Sequence, residues 1–417
     1  MMSGMTTVNQ AVTLILNSVS PLPSEKVAVA ESLGRVLCED VRSGRNVPAF
    51  ANSAMDGFAV RWADLAAASS AAPASLGIRG GLAAGAVSRK RVLPGTAIRI
   101  MTGAPVPAGA DAIVRVEYTE TRGDRVAVFR TDGLGSHIRP AGEDIRKGQL
   151  VLERGRLLGA ADIGLMASIG KATVRVRRRP VVAIVATGDE LIGVEDRPSR
   201  GKVVNSNDYT LSSAVREAGA VAKSFGIVRD SRTRLAATFR KALDCDALIT
   251  SGGVSMGDYD YVKDALEDAG VRMRFWKVAQ RPGHPMAFGS KGPRPVFGLP
   301  GNPVSSLVSF ILYVRPTLLK MMGHESLFMP VVRAKLAHDI KTAPGLKEFI
   351  RCRLEEENGR FLASSTGTQS SGVLRSLSLA QALVVAREDQ TMLRKGSHAP
   401  AILLDHRSRW LQREMGF

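Results

Sequence analysis

Three glycine-bearing turns each follow a short apolar stretch: Ala186-Thr187-Gly188-Asp189-Glu190, Ser251-Gly252-Gly253-Val254-Ser255 and Gly298-Leu299-Pro300-Gly301-Asn302-Pro303. Glycine lets backbone approach a ligand closely, and a helix starting just beyond presents unpaired amides and a positive dipole end. One such turn is ordinary tight-turn chemistry, whereas three in one sheet point to a cradle for an anion. Near them stand the carboxylates Glu190, Asp230, Asp258 and Asp260, with Lys277 and Arg281 close behind in the run FWKVAQRPGHP. Hard carboxylate oxygens beside a phosphate-binding edge suit Mg²⁺ held partly by substrate oxygens. Asp230 directly precedes a helical stretch, where it would serve equally as an N-cap. His284 has two readings, a charge in a pocket and a packing residue beside Pro285, and the other five of the six histidines show no metal-binding spacing.

The elements that must position these groups alternate. Past Arg179, the apolar stretches Pro180 to Ala186, Val221 to Val228, Ala247 to Thr250 and Pro295 to Gly298 are interleaved with helical patterns. Those patterns run over Leu211 to Gly219, Arg232 to Leu243, Tyr261 to Gly270 and Val304 to Met322. Strands apolar throughout and alternating with helices predict a doubly wound, mostly parallel sheet covered on both faces, with ligands at the carboxyl ends of its strands. At the N-terminus, Thr7 and Gln10 read as a capping box, followed by Val8, Val12, Ile15 and Val19 at helical spacing. From Val47 to Asp144 the text turns β-rich, with short apolar stretches broken by Gly and Pro, and residues 146–178 return to a helix-and-strand texture. Segment 46–145 therefore reads as an insertion between two halves, 1–45 and 146–178, of one domain. The α/β domain is expected over 179–326, and a small β domain over 327–417, since the helices stop after Met329.

Composition narrows the class. At 417 residues the chain predicts several domains, and 45% hydrophobic residues are ample for packed cores, which excludes wholesale disorder. The three cysteines Cys38, Cys245 and Cys352 lie far apart, offer no CxxC site and fit a reducing compartment. No apolar run reaches the roughly 18 residues of a membrane span, and no signal peptide is evident, so the expectation is a cytosolic chain without a membrane partner. The net charge of +18 makes anionic partners plausible. Its single basic run, Lys171 to Arg179, reads as an alternating strand, and with no aromatic-interleaved patch nucleic acid is not an expected partner.

Five stretches carry a resemblance: NSAMDGFAV at 52–60, IMTGAPVP at 100–107, ATGDEL at 186–191, SGGVS at 251–255 and GLPGNPVS at 298–305. In that order they resemble the molybdopterin molybdenumtransferase family (MoeA, and the E domain of gephyrin). The resemblance implies a cytosolic transferase of molybdenum cofactor synthesis that takes adenylylated molybdopterin and molybdate, releases AMP and uses Mg²⁺. It further implies a homodimer of four-domain chains: a linker domain, an inserted β lid, the α/β domain and a terminal β barrel, with each cleft lying between subunits. The adenylyltransferase of the preceding step becomes a possible partner. By the same resemblance Asp56, Thr102, Arg139 and Asp144 belong to the lid, and Asp56, Glu190, Asp230 and Asp260 to the catalytic set. Glu190, Asp230 and Asp260 are the metal ligands, Asp189 shapes its turn, and Gly252, Gly253, Ser255, Pro300 and Asn302 contact substrate. Molybdate falls to Lys277, Arg281, His284, Pro285, Ser305, Arg351 and Ser371. The chain departs from the family at Arg139-Pro140-Ala141, where basic residues are frequent, and at His284, where lysine is common. The competing readings are molybdopterin adenylyltransferase, which usually lacks lid and barrel, and a gephyrin-like scaffold without catalysis.

Overall fold

The computed structural model describes residues 5–253, 261–357 and 359–404, so Ser255, Asp258 and Asp260 of the expected site lie outside the described residues. Two compact units divide the chain: Lys26–Val176, and the N-terminal segment to Glu25 together with the chain from Arg177 onward.

The second unit is built on a six-stranded sheet. Its order is Val221–Val228, Val181–Thr187, Ala247–Ser251, Arg294–Leu299, Ala287–Lys291 and Arg272–Phe275. The first four are parallel and the last two add an antiparallel edge. Side chains of the second strand alternate between two cores. Val182 and Ile184 meet Leu211, Val215, Val304 and Val308 on one face, and Ala183 and Val185 meet Leu235, Phe239, Val262 and Leu266 on the other. Burial on both faces is why this strand carries no polar alternation, and each fully buried leucine contributes roughly 1.5–3 kcal/mol.

Four departures from the sequence reading have physical causes. The helix Val8–Asn17, closed by the Thr7–Gln10 capping box, buries Val8, Ala11 and Ile15 in the core of the α/β sheet, so it does not join residues 26–45 and 146–178 in a linker domain. The helix expected from Leu211 begins at Ser206, because its first turn is polar and falls outside the apolar period. The stretch Val304 to Met322 is two α-helices, Pro303–Ser309 and Arg315–Met321, joined by a π-helical turn at Phe310–Val314. This combined run, Pro303–Met321, is long and apolar enough to span a membrane by length and composition, contrary to expectation. It is 72% buried inside the protein, where Val304, Val308, Phe310, Val314 and Leu318 pack into the core.

The C-terminal sheet closes on itself. Strands Lys347–Glu357, Arg360–Ser365, Val331–Leu336, His398–Leu403 and Ala382–Ala386 pair in that order, and the last pairs back to the first. Leu336, Ile350, Cys352, Leu354 and Val384 fill this small barrel. A short helix, Leu374–Ser378, interrupts the expected all-β run, being too short to leave a periodic signal. The two-residue strand Gln280–Arg281 pairs in parallel with Lys347–Glu348, tying the 277–285 stretch to the barrel.

In the Lys26–Val176 unit, residues 57–128 form a mixed six-stranded sheet with cores of their own around Phe58, Val114, Ile98 and Ile113. Val29, Leu37 and Val41 share a different core with Ile145, Leu158, Met166 and Val176, from the far side of that segment in sequence. All three cysteines are free.

Candidate functional site

Parallel strands of similar length end together, so the turns that follow them meet. A cleft of about 680 Å³ opens there, and of the expected residues Glu190, Gly252, Gly253, Pro285, Pro300 and Asn302 line it. Gly252 adopts φ +97°, and a Cβ on it would lie 2.5 Å from the Thr187 carbonyl oxygen. Only glycine fits this close crossing of two turns. Gly252→Ala is expected to cost about 2 kcal/mol, read as a lower urea midpoint with unchanged slope.

Of the cleft's three asparagines among the described residues, sequence reasoning found Asn302 and missed Asn205 and Asn207. Asn205 caps the helix Ser206–Glu217 by accepting the Asp208 amide, and Asn207 donates through Nδ2 to Ser251 Oγ and to the Gly301 carbonyl, both at 2.8 Å. Asn207 thereby cross-links the second and third turns. Its Oδ1, and Thr187 Oγ1, are buried with no hydrogen-bond partner among the described residues. Such atoms belong where a ligand or ordered water completes the bonding. The signal available in sequence was Asn205-Ser206-Asn207-Asp208, a helix-start cluster that lies before the apolar period.

Among the described carboxylates Glu190 lines the cleft, and Asp189 and Asp230 stand near it without lining the cleft. Asp189 and Asp230 exchange backbone bonds: the Asp189 amide donates to Asp230 Oδ2 at 3.3 Å, and the Asp230 amide to Asp189 Oδ1 at 3.2 Å. Asp230 is not the N-cap of the following helix, since Ser231 holds that position. Burial, then the charges of Asp189 and Glu190, push the Asp230 carboxyl above its ordinary value. Arg229 and Lys202 both donate to the Asp189 carbonyl, at 2.6 and 2.7 Å, which fixes the turn but leaves the carboxylates unpaired by them.

The expected molybdate residues divide. Arg281 is exposed and stands 3.6 Å from Glu348 Oε1, while Pro285 reaches the cleft. His284 Nδ1 lies 2.8 Å from the Val278 carbonyl, which can only accept, so Nδ1 carries the proton, and His284 is not among the residues that line the cleft. Lys277 is half-buried, and Ser305 is buried in the first turn of the helix Pro303–Ser309. Arg351 differs from expectation. It is fully buried, donating through Nε to Ser376 Oγ at 2.8 Å and through Nη2 to the carbonyls of Thr368 and Ser370 at 3.2 and 3.1 Å. Those bonds make it the internal support of loop 366–373, whose Ser371 carbonyl accepts the Val304 amide and whose Gly372 lines the cleft.

In the other unit, Thr102 donates to Asp56 Oδ1 from its amide at 2.7 Å and its hydroxyl at 2.8 Å. These two bonds, with a smaller contribution from Arg99, hold the Asp56 carboxyl below the usual range. Arg139 is exposed opposite Asn52 in a short antiparallel pair, and Asp144 is exposed with its amide on the Val47 carbonyl.

The chain is similar to proteins of known family along most of its length. Residues 6–170 match the MoeA N-terminal region (domain I and II), 183–320 a probable molybdopterin binding domain, and 333–404 the MoeA C-terminal region (domain IV). The chain is 38% identical to molybdopterin molybdenumtransferase 2 of Mycobacterium tuberculosis, across 89% of this chain and 93% of that one. It is 36% identical to the molybdopterin molybdenumtransferase of Bacillus subtilis, across 91% and 89%. A crystal structure of the molybdopterin biosynthesis protein moeA from Pyrococcus horikoshii superposes with a TM-score of 0.81 at 29% identity, covering 96% of this chain and 99% of that one. With its three matched regions, a cleft at the strand ends and relatives similar along nearly their whole length, the chain belongs to the molybdopterin molybdenumtransferase (MoeA) family of transferases.

Proposed function

We propose that the cleft binds adenylylated molybdopterin and that the enzyme transfers molybdenum from molybdate to it, releasing AMP. The supporting observation is the cleft itself. Glycine turns at three strand ends let backbone approach a phosphate, with Glu190 on one side and Pro285 of the Arg281–Pro285 turn on another. Release of AMP needs negative charge stabilised on a phosphate, not a covalent intermediate.

Mg²⁺ fits the acidic rim. Burial first, and then the charges of Asp189 and Glu190, raise the Asp230 carboxyl, and a divalent cation there would relieve the negative charge. Among the described residues no three His, Cys, Asp or Glu side chains form a ready ligand set, so Glu190 and Asp230 would supply part of the shell and substrate oxygens the rest. When bound, the ion supplies Lewis-acid stabilisation of phosphate charge. Glu190 and Asp230 hold the cation side of the cleft, while Arg281, Lys277, Ser305 and Ser371 offer donors to a tetrahedral dianion. We further propose a cytosolic homodimer, to be tested by light scattering, with the adenylyltransferase of the preceding step as a candidate partner.

The deciding assay combines adenylylated molybdopterin, molybdate and Mg²⁺, and measures AMP and active cofactor. Formation of adenylylated product from molybdopterin and ATP instead would replace this reading by the adenylyltransferase one. For His284 the expected result is a loss of molybdate affinity on removal of the ring. His284 Nδ1 is engaged by the Val278 carbonyl, so only Nε2 is left for the dianion. His284→Gln is expected to weaken molybdate binding about tenfold, and His284→Lys, which carries an ammonium donor on a flexible stem, to restore it, both read by calorimetry.

A further inference from the structure

Gln280, Ser309 and Tyr313 are buried polar side chains that form one connected network behind the cleft. Alternation along the strand Gln280–Arg281 sends Gln280 into the core and leaves Arg281 exposed. Gln280 Nε2 donates to the Pro282 carbonyl at 3.0 Å and reaches the Gly283 carbonyl and Ser309 Oγ at 3.4 Å. Its Oε1 accepts the Tyr313 hydroxyl. Burial pushes that phenol well above its ordinary value, so it remains a donor and fixes which end of the amide faces the turn.

Tyr313 lies in the π-helical turn Phe310–Val314, and Thr317 Oγ1 donates to its carbonyl at 2.7 Å. Turns of this kind recur at functional sites because the inserted residue re-aims a side chain. On the other side, Gly283 has φ +91°, and a Cβ there would lie 2.6 Å from Ser309 Oγ and 3.3 Å from the Ser305 carbonyl. The turn that carries Arg281, His284 and Pro285 is therefore pressed onto the helix that carries Ser305, and the Gln280 amide is what clasps it.

We propose that Tyr313, acting through Gln280, is a positioning residue for the oxyanion: it holds the Arg281–Pro285 turn against the Ser305 helix so that their donors serve one tetrahedral dianion. The inference rests on reading that turn as part of the molybdate site. Removing the phenol leaves Gln280 Oε1 buried without a donor, which frees the amide to turn and release the Pro282 and Gly283 carbonyls.

The test titrates full-length wild type, Tyr313→Phe and Arg281→Ala with sodium molybdate by calorimetry, and measures turnover against each substrate. Tyr313→Phe is expected to weaken molybdate binding and raise its KM about tenfold. Its kcat should stay within about twofold and its KM for the pterin substrate should be unchanged. Wild-type molybdate binding in Tyr313→Phe, with Arg281→Ala weakened, overturns the positioning role. Wild-type binding in Arg281→Ala overturns the molybdate reading of the turn, and the proposal with it. A parallel rise in both KM values signals general loosening and also overturns it. Should Tyr313→Phe fail to fold, Thr317→Val, which frees the Tyr313 carbonyl and keeps the ring, is judged by the same criteria.

Discussion

Replacing Arg351 by methionine is expected to cost about 3–5 kcal/mol of stability and to suppress turnover more than tenfold. The side chain is fully buried, with no carboxylate paired to it among the described residues, and burial lowers its pKa from the ordinary value. What it offers is a fork of donors to Ser376 Oγ and to the Thr368 and Ser370 carbonyls. Methionine fills much of the volume but leaves those acceptors buried and unpaired, the expensive half of a broken hydrogen bond. Loop 366–373 should then loosen, carrying with it Ser371, which meets the Val304 amide, and Gly372 at the cleft. Urea unfolding and hydrogen exchange over that loop measure both effects. Arg351→Lys distinguishes support from direct anion binding. Lysine keeps the charge without the planar fork, so it should be nearly as damaging as methionine. Substantial recovery of molybdate affinity by lysine would instead return Arg351 to the anion site.

Asp230→Asn is expected to raise stability and lower function. The Asp230 carboxyl has a folded-state pKa above its unfolded value of 3.8, chiefly through burial and then through Asp189 and Glu190. The folded chain therefore holds that proton more tightly than the unfolded chain. Ionisation opposes folding, with the full penalty above the folded pKa and none below the unfolded value. In metal-free buffer near neutral pH the Asn variant should melt higher, by at most about 2 °C once solvent screening is allowed for. The advantage should vanish below pH 3. The same substitution removes a hard anionic oxygen, so half-saturation by Mg²⁺ should rise by about tenfold or more. An unchanged Mg²⁺ titration removes Asp230 from the metal site.

Much of this was legible in the residues. The strand-end turns at 188, 252 and 301 stood out because a parallel sheet buried on both faces writes its strands as unbroken apolar runs, with glycine marking each end. Val221–Val228 and Val331–Leu336 match the expected strands residue for residue, since their neighbours change texture abruptly. The strand Ala74–Leu82 left no such mark, because Gly77, Gly80 and Gly81 break its alternation.

What the sequence determined by itself was the class of chemistry and the strand edge that would carry it, because those depend on residue types at short range. Contacts between distant segments depend on packing, and only the tertiary structure decided them. It sent the polar first turn at Asn205 and Asn207 to the cleft and lodged the helix Val8–Asn17 in the core of a sheet that begins more than 150 residues later. It turned Arg351 inward. An arginine in a strand reads the same whether it faces an anion or the barrel interior, and the difference lies in which acceptors the fold brings to it: here Ser376 Oγ and two carbonyls of the loop it supports.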